Sequence, residues 1–122
     1  MTTKREELDA VLDSMRETAE FDMLELKGVN DRGCLGNAPL HIAAVRGDVR
    51  AINCLLDHGA AIDALGEFGE TALHVAVQMG HTETVETLLA RGASSDIKND
   101  LGKTPLELAR AVRSPIEKLF EP

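Results

Sequence analysis

His41, His74, His81 and His58, with Cys34 and Cys54, are the side chains in this chain best suited to hold a metal or activate a nucleophile. Their spacing argues against both. The cysteines have no Cys-x-x-Cys spacing and no histidine placed to complete a zinc site, so they read as two separate reduced thiols. His41 and His74 stand 33 residues apart at one place in a recurring motif, and His81 follows Gly80. His58 falls off the apolar stripe as a solvated side chain. Carboxylate pairs such as Glu67 with Glu70 and Glu83 with Glu86 invite acid–base chemistry. Such chemistry needs two carboxyls converging in a cleft with one pKa raised, whereas these fall on turns and on an outer helix face. No Gly-rich phosphate loop and no Gly-x-Ser-x-Gly is present. The expectation is a chain with no catalytic residues, no cofactor and no metal.

The elements that carry these residues repeat. Ala38-Pro-Leu-His-Ile-Ala-Ala44 aligns with Thr71-Ala-Leu-His-Val-Ala-Val77 and Thr104-Pro-Leu-Glu-Leu-Ala-Arg110, at a constant offset of 33. The same offset relates Gly36, Gly69 and Gly102, pairs Gly47 with Gly80, and pairs Leu55-Leu56 with Leu88-Leu89. Thr104 and Pro105 make an N-cap and first helical residue, and Glu107 completes a capping box where the earlier copies have histidine. Leu106 and Ala109 face inward from that helix. Gly47 and Gly80 end a first helix, and Asp48 caps the next. Ile52, Leu55 and Leu56 then form an i, i+3, i+4 stripe, repeated as Val85, Leu88 and Leu89. Gly59 and Gly92 end the second helix of each pair, and residues 60–70 form a turn-rich connection. Helices this short are marginal alone, so the units must stack.

From residue 33 to about 122 the pattern resembles the ankyrin repeat, which has Gly-x-Thr-Pro-Leu-His-x-Ala-Ala followed by Gly-His, Leu-Leu and Gly-Ala at period 33. The resemblance implies an all-α solenoid of helix-turn-helix units joined by projecting β-turn fingers. It also implies protein binding as the function, and histidines that hydrogen-bond backbone to hold the inter-unit turn. The single domain 1–122 divides into a degenerate N-terminal capping repeat (1–32), two repeats (33–65 and 66–98) and a truncated C-terminal cap (99–122). In the last unit Ser114-Pro115-Ile116-Glu117 reads as a capping box opening a short helix that buries Ile116, Leu119 and Phe120. In the first, Leu8, Val11, Leu12 and Met15 recur at helical spacing, followed by Phe21, Met23, Leu24 and Leu26. Thr3 with Glu6 forms a possible capping box there, and Ser14 with Glu17 a second.

The 122 residues carry a net charge of −8, and residues 1–32, with nine acidic and five basic side chains, hold half of it. That charge disfavours nucleic acid and anionic lipid, and the absence of Trp and Tyr removes the usual base-stacking platforms. No apolar run reaches the length that spans a bilayer and no signal peptide opens the chain, so a cytoplasmic location and a free monomer are expected.

The resemblance implies a concave binding face made by the fingertips and the exposed ends of the first helices. By register these are Cys34, Leu35 and Asn37; Glu67, Phe68 and Glu70; Asp100, Leu101 and Lys103; with Val45, Arg46, Gln78, Met79, Ala111 and Val112 on the helices and Leu65 at a finger root. Leu35, Phe68 and Leu101 recur at period 33 as apolar tips, beside Val45, Met79 and Val112. Phe68 is the expected anchor, with Met79 and Arg46 as its neighbours. Glu67, Glu70 and Asp100 are expected to steer a basic protein partner onto that face. An inhibitor or immunity-type protein is one concrete form of this reading. The alternative is a structural or scaffold subunit whose stack serves oligomerisation or assembly.

Overall fold

The computed structural model describes residues 3–16, 28–33, 35–112 and 114–120. Six α-helices are formed there: α1 (Lys4–Arg16), α2 (Pro39–Arg46), α3 (Val49–Asp57), α4 (Ala72–Met79), α5 (Thr82–Ala90) and α6 (Pro105–Ala111). Short 3-10 turns cover Glu67–Gly69 and Pro115–Phe120, and no strand occurs among the described residues. Helices α2, α4 and α6 pack side by side in one layer. Behind them α3, α5 and the 115–120 turn form a second layer, and α1 closes the end against α3 and α2.

N-cap side chains start α3, α4 and α6. Thr71 accepts the His74 amide, and Thr104 accepts the Glu107 amide at 3.2 Å while the Glu107 carboxylate returns to the Thr104 amide at 3.3 Å. Those hydrogen bonds hold the Glu107 carboxyl below its ordinary pKa. Asp48 accepts the Ala51 amide at 3.0 Å. Gly47 and Gly80 end α2 and α4 at φ 67° and 74°, a conformation that strains any side chain. At Gly47 a Cβ would also strike the His81 ring, 2.7 Å away.

His41 and His74 hold the units in register. The Nδ1 atom of each accepts its own N-cap amide, from Ala38 at 3.1 Å and Thr71 at 3.0 Å. Nε2 of His41 faces the carbonyls of Ala64 and Glu70, both at 3.0 Å, and Nε2 of His74 faces Lys103 at 2.9 Å. Both ring nitrogens are therefore used by backbone. His81 does similar work between units, reaching the Val45 carbonyl at 2.9 Å. Asn30 accepts the Ala61 amide and Asp63 the Ser94 amide, each at 2.9 Å, a second inter-unit tie that recurs at the same 33-residue offset.

One continuous core runs through the stack from Leu8, Leu12 and Met15 to Leu40, Ile52, Leu55, Leu73, Val85, Leu88, Ala109 and Ile116. The C-terminal end corrects the sequence reading in two places. Leu106 is half-buried, and the buried positions of α6 are Pro105 and Ala109. The segment after Ser114 is a 3-10 turn without a capping box: the Ser114 hydroxyl accepts the Ile116 amide at 3.2 Å, and Glu117 turns to Arg110. Ile116 is buried there, with Leu119 and Phe120 half-buried. At the other end Thr3 accepts the Glu6 amide as expected. The expectations for Phe21, Met23, Leu24, Leu26 and Glu17 lie outside the described residues.

Two outcomes test this frame. Leu73→Ala, at a side chain only 1% exposed, should lower unfolding free energy by about 2–5 kcal/mol in a urea titration. The second concerns pH. Burial chiefly, with Arg32 adding to it, depresses the His41 pKa below its ordinary value. The neutral form is thus favoured in the fold, so its contribution is complete above about pH 6.5 and fades as pH falls through the lower folded value. The denaturation midpoint should fall between pH 7.5 and pH 5, with a shallower slope in His41→Gln; identical slopes would contradict this.

Candidate functional site

Each finger is closed by one backbone hydrogen bond at the repeat spacing. Gly33 donates to the Asn37 carbonyl and Gly66 to Glu70, both at 2.8 Å, and Asn99 donates to Lys103 at 2.9 Å. Successive fingers are then tied together: the Glu67 amide donates to Asn37 Oδ1 and the Asp100 amide to the Phe68 carbonyl, each at 2.9 Å. This places the tips as a row with fixed spacing.

Leu35, Val45, Leu65, Phe68, Met79, Leu101 and Val112 are all exposed; Phe68 is 67% exposed and Leu101 83%. Neighbouring tips therefore leave these side chains largely uncovered. Val45, Phe68 and Met79 meet in one cleft of about 170 Å³, with Glu67, Glu70 and Gln78 around them. Phe68 and Leu101 flank a second of about 340 Å³, lined also by Glu70, Gln78, Asn99 and Asp100. Phe68 divides the two. Leu35, Leu65, Val112, Arg46 and Lys103 line neither. A further cleft of about 400 Å³ opens between α1 and α3, where Arg50 reaches Glu7 at 3.1 Å and Asp48 is held by its cap.

Three sequence expectations change. Glu70 is not an acidic tip: it is 9% exposed, with Oε2 accepting from the Asn99 side-chain amide at 3.1 Å and from Gln78. Those two side-chain donors, and not the finger's closing bond, hold it in, since Lys103 closes its own finger in the same way and is exposed. Arg46 is not a neighbour of Phe68, because its guanidinium bonds the Ser14 hydroxyl and carbonyl at 3.1 and 3.2 Å and so pins α1 to α2. His58 is not simply solvated: it lies one turn after Cys54, with Nδ1 against the Cys54 carbonyl at 2.8 Å and 4.0 Å from Sγ. The pairing is legible as an i, i+4 spacing, but burial raises the thiol's pKa above its ordinary value, the opposite of activation. Cys34 lies outside the described residues.

Phe68 has a left-handed backbone, φ 61° and ψ 22°, and is the one non-glycine with positive φ among the described residues. That conformation costs a bulky residue about 1–2 kcal/mol. Its carbonyl accepts the Asp100 amide, and its exposed ring lines both clefts. Phe68→Gly should accordingly leave stability unchanged or raise it by up to about 1 kcal/mol, and Phe68→Ala should stay within about 1 kcal/mol. A loss above about 2 kcal/mol by chemical denaturation would instead make Phe68 a core residue.

Residues 9–99 match the model of the ankyrin repeats, in three copies. No curated protein matches the chain significantly. Among the described residues no helix is long and apolar enough to cross a membrane. The 33-residue period, the histidine-tied helix pairs and the family match agree: the chain belongs to the ankyrin-repeat family, an all-α solenoid whose members serve as protein–protein interaction modules.

Proposed function

We propose that the chain is a non-catalytic binder that takes a basic protein partner on its finger face. The observation that supports this most is the composition of that face. Apolar Val45, Phe68, Met79 and Leu101 are exposed around two adjoining clefts, with Glu67 and Asp100 at their edges. Exposed apolar surface rimmed by charge is characteristic of a protein interface, and rim carboxylates raise the encounter rate with a cationic partner. Leu35, Leu65, Lys103 and Val112 extend the face beyond the clefts. The acidic surface makes nucleic acid and anionic membranes unfavourable partners, and its self-repulsion favours a monomer; a cytoplasmic location is part of the same proposal. An inhibitor or immunity-type role toward a basic protein fits the same features. The four-unit division at residues 32, 65 and 98 is part of this proposal: two full repeats and the finger of the C-terminal unit present the site, and the two modified end units close the stack.

The test uses the partner recovered from a host lysate on the immobilised chain. Phe68→Ala should weaken its affinity by at least about 2 kcal/mol, the range of an interface anchor, without loss of fold. Glu67→Lys should slow association and flatten its salt dependence. Glu86→Ala, on the exposed side of α5, is the control and should change neither. Unchanged affinity in Phe68→Ala would remove the finger face as the site. A concentration-dependent dimer in light scattering, broken by Phe68→Ala, would favour the assembly role instead.

A further inference from the structure

The clearest departures from the repeat converge on one point. Where the middle finger has Glu70, its register equivalents are Asn37 and Lys103. Where the third finger has Asn99, the others have Gly33 and Gly66. Gln78 corresponds to Val45 and Ala111. In the fold these three side chains touch: Asn99 and Gln78 both donate to Glu70 Oε2. Asn99 is itself fixed, since its Oδ1 accepts the amides of Leu101 and Lys103 at 3.0 Å each, which directs its NH₂ to Glu70.

We propose that this joint is a receptor for one arginine side chain of the partner, taken into the cleft between Phe68 and Leu101 with its guanidinium on Glu70. The inference rests on the reading of the finger face as the partner site. Glu70 is a carboxylate nine-tenths buried whose hydrogen bonds come from neutral amides alone. No described residue bonds Oε1, and no described cation pairs with the group. A buried charge held this way is costly until a cation joins it. The cleft beside it, about 340 Å³, is at the small end of ligand pockets and suits one long side chain rather than a helix. Its walls suit arginine in particular. The exposed Phe68 ring offers a face to a planar cation, Leu101 covers an aliphatic stem, and Asp100 adds a second carboxylate at the edge. A guanidinium is more weakly hydrated than an ammonium, stacks on aromatics and forks onto a carboxylate, so arginine outcompetes lysine here.

The experiment is an amide NMR titration of the full chain with acetyl-Gly-Arg-Gly-amide, beside its lysine and citrulline counterparts. The arginine peptide should give saturable shifts at residues 68–70 and 99–101, the lysine peptide weaker ones, and the uncharged citrulline peptide none. Glu70→Gln should weaken arginine binding by at least about tenfold with the melting curve retained. Should that variant fail to fold, Leu101→Ala, at a fully projecting tip, must still weaken binding several-fold. Equal response to citrulline, shifts confined to other surfaces, or unaltered affinity in either folded variant would overturn the assignment. If the peptide does not bind but the recovered partner still depends on Phe68, the arginine receptor falls while the finger-face reading stands. Loss of both removes the face itself.

Discussion

Everything in this fold depends on one constraint: no helix pair can bury its apolar stripe without a neighbour, so the start of each helix must be coupled to the position of the next unit. A single imidazole supplies that coupling. At the third position of α2 and α4 it accepts the helix's own N-cap amide through one nitrogen and meets a carbonyl of the following finger through the other. Helix initiation and inter-unit register are therefore one interaction. The exception supports the rule. After α6 the chain enters a 3-10 turn instead of a finger, and Glu107 completes the cap with acceptor oxygens alone.

With the polar groups of the frame directed inward, the finger face is left with groups the fold does not use. Leu101, Phe68 and Val112 are the most exposed of these, and Phe68 adopts a backbone conformation that glycine would take more easily. Strain retained at an exposed position, next to a carboxylate supported by two residues that depart from the repeat, is what the proposed binding site would impose on its scaffold. The same scaffold tolerates it because stability comes from nearest-neighbour stacking of Leu40, Leu73 and Ala109 and their partners, not from the tips.

The repeat, the caps and the apolar tips were legible because each depends on local spacing. The Thr104–Glu107 box, the glycines that end α2 and α4, and the exposure of Leu35, Phe68 and Leu101 follow from register alone. What was not legible depends on where a long side chain turns. Glu70 and Glu67 are alike in sequence, yet one is buried and the other remains at the cleft edge, because Asn99 and Gln78 donate to the Glu70 carboxylate. Arg46 could have faced the tips, but α1 supplies Ser14 within its reach. Neither outcome is encoded at period 33. The convergence of Glu70, Gln78 and Asn99 could have been found as departures from the repeat, but only the fold brings residues 70 and 99 into contact.

The central claim is that the frame faces inward and the finger face outward to a partner. Hydrogen–deuterium exchange of the full chain, free and bound to its recovered partner, tests it most directly. The account predicts added protection at residues 66–70 and 99–103 and at the C-terminal ends of α2 and α4, with α3 and α5 unchanged. Protection concentrated on α3 and α5, or on α1, with the fingers exchanging as in the free chain, would contradict it.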